Sequence, residues 1–458
     1  MVYGQNFIPE PRTGHTAVLI EYKIYIIGGD NPSKTDLEQN PESDIVYLNI
    51  DPYENYDSWV NIQSQGLRLP HTFSHTANIG GINQDSIFII GGGHLYDEKN
   101  TNYFYKFDTN TNELSVPVIQ GKAPSTRIGM KSVSYEGKIY MFGGRTFTLN
   151  ESDTIYVNQF DILDTINLNW QVGSLVDSPV TLSGYTATLV NETIYYIGGR
   201  SQQYVFSPMT EIFQYDIVNN KWSLKKATSL DNIPGPRIGH SAVLYDGKIF
   251  VYGGSYFNEV APTDVPAKKT FVMLDTVTLV WSIPPLGNTN VPKLAYHTAS
   301  LKGAMMTLNF GIKVDLPNTI DHSNNSTYFF YLKFPFIRWI SIPLSIDISL
   351  QPSVITKASN TPTEAVISPQ NMKTLIVGIS VGSVIVVLPI CVVCTRIIIF
   401  KIKKRKQTKM KRESTNLEGQ DDDSDKYPIM HQSSAHQQFE PQQLQQQYNS
   451  DNPPTINE

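Results

Sequence analysis

Four histidines recur at matching positions along the first part of the chain, and regularly placed imidazoles could form a ring of metal ligands. Met130 and Tyr185 fill the same position in two other segments. Because methionine and tyrosine also occur there, the position is more typical of a bulky packing residue. We therefore predict a structural role for it and no metal site. The four histidines are His15, His75, His240 and His297.

Cys391 and Cys394 are the two cysteines of this 458-residue chain. The sequence before them therefore contains neither a disulfide nor a thiolate metal site. Both lie near the end of an apolar segment. In a membrane span, close to its cytosolic end, such a pair is more typical of reversible palmitoylation than of a redox or zinc pair. Inert burial within the segment is the alternative.

Glycine pairs recur along the chain, but none belongs to a G-x-x-x-x-G-K-[ST] phosphate loop and no helix is predicted to open after one. The net charge of −6 is mild for this length and gives no reason to expect nucleic acid as a partner. We therefore expect no cofactor and no nucleic-acid binding.

A β-hairpin is the element that positions these residues, and it is clearest at residues 236–254, PRIGHSAVLYDGKIFVYGG. Asp246-Gly247 separates two apolar runs. This pattern favours a type I′ turn, because that turn needs positive φ at both central residues. The second run ends in Gly253-Gly254. A glycine pair there indicates positive φ, or a close backbone approach that a Cβ would block.

The hairpin recurs with a period of about 50 residues. The offset from the histidine position to the first glycine is 13 residues in five copies, as from His240 to Gly253, and 16 in the second copy. Each copy continues with a third strand that ends near an aspartate and a fourth that opens with tryptophan, as at Asp216 and Trp222, with Leu114 replacing the tryptophan in the second copy and Lys333 the aspartate in the sixth. Four antiparallel strands per unit predict a propeller blade. A sixth, degenerate copy ends at Phe310-Gly311.

These features resemble the kelch repeat, in which a glycine pair follows an apolar strand and Pro-Arg-X-Gly-His opens the next unit. The resemblance spans roughly residues 8–345 and implies an all-β, six-bladed kelch β-propeller, which we place at residues 1–345. The whole plan is similar to fungal single-pass membrane kelch proteins described as galactose-oxidase-like or attractin-like. Six complete units would close the ring without strand exchange, or residues 2–7 would add an edge strand to the last blade.

The resemblance also raises galactose-oxidase chemistry, whose copper radical site needs a cysteine cross-linked to a tyrosine. No cysteine precedes Cys391, so we expect that chemistry to be absent and the propeller to bind rather than catalyse. A propeller hydrolase or isomerase acting on sugars, with loop carboxylates such as Glu211 or Asp264, is the enzymatic alternative.

One end of the propeller is the predicted binding face. Loops between second and third strands lie at the same end as the connections between blades, and here they are long and divergent. Peptide-binding kelch propellers place the Pro-Arg-X-Gly arginine at the ligand mouth, so the resemblance implies that Arg127 and Arg237 meet a carboxylate or acidic peptide. Bracing of a neighbouring blade is the alternative. The candidate ligand-binding residues are Arg12, Arg127, Arg145, Arg200 and Arg237.

The C-terminal quarter predicts a membrane anchor. Residues 346–373 read as a Ser/Thr/Pro-rich stalk without a core. Residues 375–395 carry no formal charge and would span about 32 Å as a helix, the thickness of a bilayer core, so we place a transmembrane helix within 374–400. Residues 401–458, first basic and then acidic and glutamine-rich, are predicted to be a disordered cytosolic tail.

Basic residues crowd the C-terminal side of the predicted span. They place the tail in the cytosol and the propeller outside, at the plasma membrane, and residues 401–412 are expected to contact anionic lipids. Export requires a signal peptide, and the opening MVYGQNFIPEPR has no apolar region. We therefore expect the true start of the protein to lie upstream. A cytosolic propeller on a membrane anchor is the alternative.

Four sequons precede the predicted span and support an external propeller only weakly. Asn191 is the best placed, because it lies in the turn of its hairpin. The candidate glycosylation sites are Asn150, Asn191, Asn324 and Asn325.

Together these patterns predict a single-pass surface protein whose propeller binds a protein or a glycan without catalysis. Besides the sugar-processing alternative, an intracellular scaffold that links a membrane to polarity or cytoskeletal machinery remains open, as some fungal kelch proteins imply.

Overall fold

A computed structural model describes most of residues 7–343. The described ranges are 7–34, 45–53, 58–62, 65–93, 103–146, 154–258, 260, 263–286, 290–316, 322–335 and 337–343. All of the regular secondary structure in these ranges is β-strand.

The strands form six antiparallel sheets that follow one another along the chain, and each is one blade. Blade one consists of β1 (Thr16–Ile20), β2 (Lys23–Ile27), β3 (Ile45–Asn49) and β4 (Ser58–Asn61). Blade two has β5 (Gln65–Gly66) at its edge and consists of β6 (Thr76–Gly80), β7 (Ser86–Ile90), β8 (Phe104–Asp108) and β9 (Glu113–Ser115). Blade three consists of β10 (Ser132–Tyr135), β11 (Lys138–Phe142), β12 (Phe160–Asp164) and β13 (Asn169–Val172).

The remaining blades carry short loop hairpins. Blade four consists of β14 (Thr186–Val190), β15 (Thr193–Ile197), β18 (Glu211–Asp216) and β19 (Lys221–Lys226), and its loop hairpin is formed by β16 (Arg200–Gln202) and β17 (Val205–Phe206). Blade five has β20 (Thr228–Ser229) at its edge and consists of β21 (Ser241–Tyr245), β22 (Lys248–Tyr252), β25 (Phe271–Asp275) and β26 (Val280–Ser282), and its loop hairpin is formed by β23 (Ser255–Tyr256) and β24 (Val265–Pro266). Blade six consists of β28 (Thr298–Lys302), β29 (Met305–Asn309), β31 (Ser326–Tyr331) and β32 (Arg338–Pro343), and β27 (Leu294–Ala295) pairs with β30 (Ile312–Lys313) beside it.

The hairpin predicted at residues 236–254 forms in the expected register. Ser241 pairs with Tyr252 and Tyr245 pairs with Lys248. Asp246 and Gly247 have φ of 49° and 69°, the signature of the type I′ turn that Asp-Gly favours. Both faces of β22 are buried, because Ile249 and Phe250 are each 0% exposed. The apolar run therefore packs against the neighbouring blade on each side.

The innermost strands form a closed ring in which β1 contacts both β6 and β28. The described strands of each blade are consecutive in sequence, so the ring closes without exchanging any of them. The seam between blades six and one is joined by the His15 Nε2–Thr298 Oγ1 hydrogen bond, at 2.9 Å. Residues 2–6, part of the alternative closing strand, lie outside the described residues.

The second glycine of each pair makes the same bond between neighbouring blades. Gly254 N donates to Leu294 O of blade six at 2.8 Å, and Gly311 N donates to Arg12 O of blade one at 2.9 Å. The first glycine lies against the same carbonyl group. A Cβ on Gly253, whose φ is +66°, would lie 2.2 Å from Leu294 O. The glycine pairs therefore allow backbone-to-backbone contact between blades.

Phe310 replaces the first glycine in blade six and keeps the left-handed backbone, with φ of 57°. Its ring is 1% exposed and lies 5.3 Å from the ring of His15 and 5.4 Å from that of Trp59, both in blade one. The sixth copy is therefore a structural variant of the repeat, in which an aromatic ring fills the seam where the propeller closes.

The connections between blades cover the outer edges of the sheets. Strand β5, which follows blade one, pairs in parallel with β9 of blade two, and β20, which follows blade four, pairs in parallel with β26 of blade five. Unpaired outer strands would expose a row of backbone donors and acceptors. These short edge strands, which the repeat pattern did not predict, cover part of that row.

Within the residues that the structure describes, no helix is long and apolar enough to cross a membrane. The predicted span at 375–395, its two cysteines Cys391 and Cys394, and the basic run at 401–412 lie outside the described residues.

Candidate functional site

Six equivalent backbone positions surround the propeller axis on the loop face, the end that carries the loops between second and third strands. All six have positive φ, from 54° at Ser74 to 71° at Gly184. Among the described residues, four backbone hydrogen bonds join neighbouring positions, as when Gly184 N donates to Gly129 O at 2.7 Å. This axial ring explains the glycine of the Arg-X-Gly motif. Its members are Gly14, Ser74, Gly129, Gly184, Gly239 and Tyr296.

The residue after each glycine pair is held beside this ring. Arg145 N donates to Ile128 O at 3.0 Å, and Arg200 N donates to Ser183 O at 2.9 Å. The same position holds Asp30, Gly93, Ser255 and Ile312 in the other blades. Neighbouring blades three and four therefore each place an arginine at the axis. In blade one the position is Asp30, whose Oδ1 lies 2.8 Å from His71 Nε2.

Arg145 and Arg200 line a cavity of about 140 Å³ that opens at the axial ring. Lys131, His240 and Tyr296 also contribute to its wall, and none of the described residues lining it is an aspartate or glutamate. We call this space the axial cavity. Its described wall carries basic side chains, which favour an anionic group.

Aromatic side chains of blades four and five lie beside Arg200. The Phe206 ring lies 4.8 Å from Tyr256 and 5.1 Å from Phe257, and Tyr204 lies 5.9 Å from Phe257. The Arg200 guanidinium stacks over Phe257 at 5.1 Å. The four rings are partly exposed, and we call them the aromatic cluster.

The hydroxyl group of Tyr296 contacts Asp264, a loop residue of blade five. Its phenol lies 3.1 Å from both carboxylate oxygens of Asp264, and Ser255 Oγ donates to Asp264 Oδ1 at 2.7 Å. Burial, together with the nearby Asp264 carboxylate, raises the pKa of Tyr296, so the phenol is protonated and donates. The Asp264 carboxylate therefore accepts hydrogen bonds from Ser255 and Tyr296 within the loop face. Glu211, the other proposed acid, pairs with Lys226 Nζ at 2.5 Å on the outer strands of blade four.

The three Arg-X-Gly arginines are buried beneath the loop face. Arg237 is 0% exposed. Its guanidinium donates to Gly253 O at 2.9 Å and to Lys268 O at 2.6 Å, among other carbonyls. Burial lowers the pKa of Arg237 to about 10. These carbonyl groups belong to blade five, so the guanidinium braces its own blade rather than a neighbouring one.

Arg127 and Arg12 lie in similar surroundings. Arg127 is 1% exposed and pairs with the buried carboxylate of Asp161 in its own blade. Arg12 is 4% exposed, donates to Gly28 O at 3.3 Å, and stacks over Phe310 at 5.4 Å. Among the five candidate arginines, only Arg145 and Arg200 line the axial cavity, and we carry these two forward.

The recurrent histidines join neighbouring blades through hydroxyl groups. His297 Nε2 lies 2.8 Å from Ser241 Oγ, and His240 Nε2 lies 3.1 Å from Thr186 Oγ1. Tyr185 at the same position donates to Phe142 O of blade three. Burial holds the pKa of His240 and of His297 well below the ordinary value, the latter at about 3. These contacts agree with the structural role predicted for the position.

Lys131 is the residue that the sequence analysis missed. It follows the histidine position in blade three, where the other blades have Thr16, Thr76, Thr186, Ser241 and Thr298. Lys131 lines the axial cavity and also a second cavity that lies beneath it on the propeller axis. Aligning the copies at the histidine position would have revealed it, because five copies have a hydroxyl and one has an ammonium.

The candidate glycosylation sites have different surroundings. Asn191 and Asn325 are exposed, and Asn150 lies outside the described residues. Asn324 is 0% exposed, and its amide nitrogen donates to Phe310 O and Ser326 O. A glycan on Asn324 is incompatible with this buried amide, so we propose none there.

The comparisons with known proteins agree with the repeat. The sequence matches the KLHDC2/KLHL20/DRC7 Kelch-repeats domain over residues 14–254 and 176–348. It is 27% identical over 312 residues to Acyl-CoA-binding domain-containing protein 5 of Arabidopsis thaliana, covering 66% of this chain and 44% of that protein. It is 26% identical over 260 residues to human Kelch domain-containing protein 3, covering 53% of this chain and 64% of that protein.

The solved structure of YjhT has the same fold, with a TM-score of 0.55 at 14% identity over 73% of this chain and 98% of that one. The two curated relatives are covered over 44% and 64% of their own length, so the chain spans about half the length of the curated relatives it matches. The matched domain covers more than half of the chain, from the first repeat to the last, and the structure has one blade for each repeat. The chain therefore belongs to the KLHDC2/KLHL20/DRC7 kelch-repeat family.

Proposed function

We propose that the loop face of this kelch propeller binds an acidic segment of a partner protein at Arg145 and Arg200. A kelch propeller suggests a protein-interaction module, and the axial cavity supplies the specific chemistry. The observation that carries the proposal is the convergence of two arginines on a cavity whose described lining has no carboxylate. Arginine forms bidentate pairs with carboxylates.

The aromatic cluster supports a peptide as the ligand. Phe257 lies beneath Arg200, Phe206 and Tyr256 extend the same cluster, and all three are partly exposed. Such rings provide a large contact area at low conformational cost, and aromatic and arginine residues are enriched at interface centres. An acidic peptide would place carboxylates at the arginines and apolar side chains on the rings.

Binding of a random-peptide display library to the full chain tests the proposal. Wild type is expected to enrich peptides containing Asp and Glu. Arg145→Glu combined with Arg200→Gln should weaken binding of the selected peptides by more than about 100-fold, because each hydrogen bond to a charged group contributes about 1.5–3 kcal/mol and both arginines lose theirs.

Lys221→Glu is the matched control, because this exposed lysine lies at the opposite end of blade four. It should leave binding unchanged. Enrichment without acidic residues, selective binding of neutral glycans by the same face, or equal binding by the arginine variant would contradict the proposal.

We also propose that the propeller is held outside the cell by a single span at 375–395, with the tail in the cytosol. The uncharged segment and the basic residues after it support this arrangement. In sealed cells, added protease should digest the propeller and spare an epitope tag placed at the C-terminus. A protected propeller would favour the intracellular scaffold instead.

A further inference from the structure

A second cavity lies on the propeller axis beneath the axial ring. It has a volume of about 230 Å³ and is surrounded by the innermost strands. Its wall includes hydroxyl groups of Thr186, Ser241 and Thr298, and Lys131 lines both this central channel and the axial cavity. Lys131 therefore lies between this channel and the loop face.

The side chain of Lys131 does not make the hydrogen bond to a neighbouring blade that its counterparts make. In the other blades a hydroxyl at this position bonds to a neighbouring blade, as Ser241 does with His297. Blade three differs because Tyr185 of blade four donates to Lys131 O at 3.1 Å, a backbone atom. The Lys131 ammonium has no hydrogen-bond or ion-pair partner among the described residues.

The charge of Lys131 is uncompensated within the channel. None of the described residues lining it is an aspartate or glutamate. The nearby His15, His240 and His297 have pKa values well below ordinary, so they are neutral at pH 7. Lys131 is half-buried and its pKa is lowered by burial, so an anion beside the ammonium would favour its charged form.

The channel hydroxyls can donate to such an anion. His240 Nε2 lies 3.1 Å from Ile197 O, and a carbonyl can only accept, so Nε2 carries the proton. The same nitrogen contacts Thr186 Oγ1 at 3.1 Å. Thr186 then accepts, and its own hydrogen is available to a ligand in the channel.

His15 and His297 follow the same argument. Their Nδ1 atoms are buried with no hydrogen-bond partner in the described structure. Orphaned N–H donors are rarer than under-satisfied acceptors, which places the proton on Nε2. Thr298 and Ser241 then accept from these rings and keep their own hydrogens for the channel. The wall therefore combines one ammonium with several hydroxyl donors.

We propose that Lys131, Thr186, Ser241 and Thr298 form a binding site for a small inorganic oxyanion in the central channel. Donors from several blades suit an ion with several oxygen atoms, and the channel volume exceeds what one halide fills. The site is independent of the proposed peptide function, which uses Arg145 and Arg200.

Calorimetric titration of the full chain with inorganic phosphate at pH 7, in a buffer free of small anions, tests this site. Wild type should bind one phosphate per chain and should bind chloride at least tenfold more weakly. Lys131→Thr should lose phosphate binding by at least tenfold. Because threonine is the residue of most other blades, this variant should fold with an unchanged or raised unfolding midpoint. Lys131→Arg, which keeps the charge, should retain binding.

Lys221→Thr, at the exposed start of β19, is the control and should bind phosphate like wild type. Equal phosphate binding by Lys131→Thr would overturn the site, as would no phosphate binding by wild type or preference for chloride. Loss of binding in Arg145→Gln with retention in Lys131→Thr would place the anion at the loop face instead and would likewise overturn the proposal.

Discussion

Repeated residue types in this chain divide into those that hold the ring together and those that differ between blades. The Arg-X-Gly arginines belong to the first group, since Arg237 and Arg127 are buried among partners in their own part of the ring. Arg145, Arg200 and Lys131 belong to the second, because other blades have different residues at the equivalent positions. Ligand chemistry is therefore expected where the repeats differ.

Arg237→Met is expected to lower the free energy of unfolding by about 3–5 kcal/mol, because the carbonyl groups of Gly253 and Lys268 lose their donor inside the protein. Urea unfolding followed by tryptophan fluorescence measures this. Arg338→Met, at an exposed arginine, is the matched control and should change it by no more than about 0.5 kcal/mol. Equal effects would contradict the bracing role.

The buried histidines make the propeller sensitive to acid. His297 has a pKa of about 3 in the folded chain, whereas an unfolded histidine titrates near 6.5. Between these values the unfolded state binds the extra proton, so the free energy of unfolding falls as the pH falls, by about 1.4 kcal/mol per pH unit for each such histidine. Above pH 7 this contribution vanishes.

His297→Met, with the side chain that blade three uses at this position, should make that pH dependence less steep by about 1.4 kcal/mol per unit between pH 6 and 4. Urea unfolding at several pH values measures the slope. An unchanged slope would show that His297 is protonated in the folded chain over this range.

At the scale of elements, the repeat pattern predicted the hairpins well and the connections between blades poorly. Apolar runs, Asp246-Gly247 and the glycine pairs depend on local backbone conformation, which neighbouring residues determine. The edge strand β20 pairs with β26, about 50 residues further along, and its short sequence has no periodicity to detect. Burial of Asn324 likewise depends on the fold around it, although its sequon is a local motif.

The two glycines of the blade-five hairpin should respond differently to substitution. Both have positive φ, but a Cβ on Gly247 meets nothing within 4 Å, whereas one on Gly253 meets Leu294 O at 2.2 Å. Gly247→Ala should cost about 1–2 kcal/mol of unfolding free energy through backbone strain. Gly253→Ala should cost at least about 3 kcal/mol, because it also separates two blades. Urea unfolding of both variants checks the order, and similar costs would contradict it.

At the scale of the whole molecule, the predicted number of blades was confirmed, while the manner of closure was left open between two arrangements. The sixth copy looked degenerate because Phe310 replaces glycine. In the structure the replacement makes the seam between blades six and one the place where an aromatic side chain fills the interface. The same backbone bond still joins all neighbouring blades.

Phe310→Ala should therefore loosen this seam selectively. Removing a buried phenylalanine costs about 3–5 kcal/mol, and here the cavity would lie between the first and last blades, where no covalent link crosses. The amide of Gly311, which donates to Arg12 O, should exchange hydrogen about 100-fold faster. The amide of Gly254, which makes the equivalent bond to Leu294 O between blades five and six, is the internal control and should change much less. Equal acceleration of both amides, measured by hydrogen exchange, would mean that the ring unfolds as one unit and that the seam is no weaker than the other interfaces.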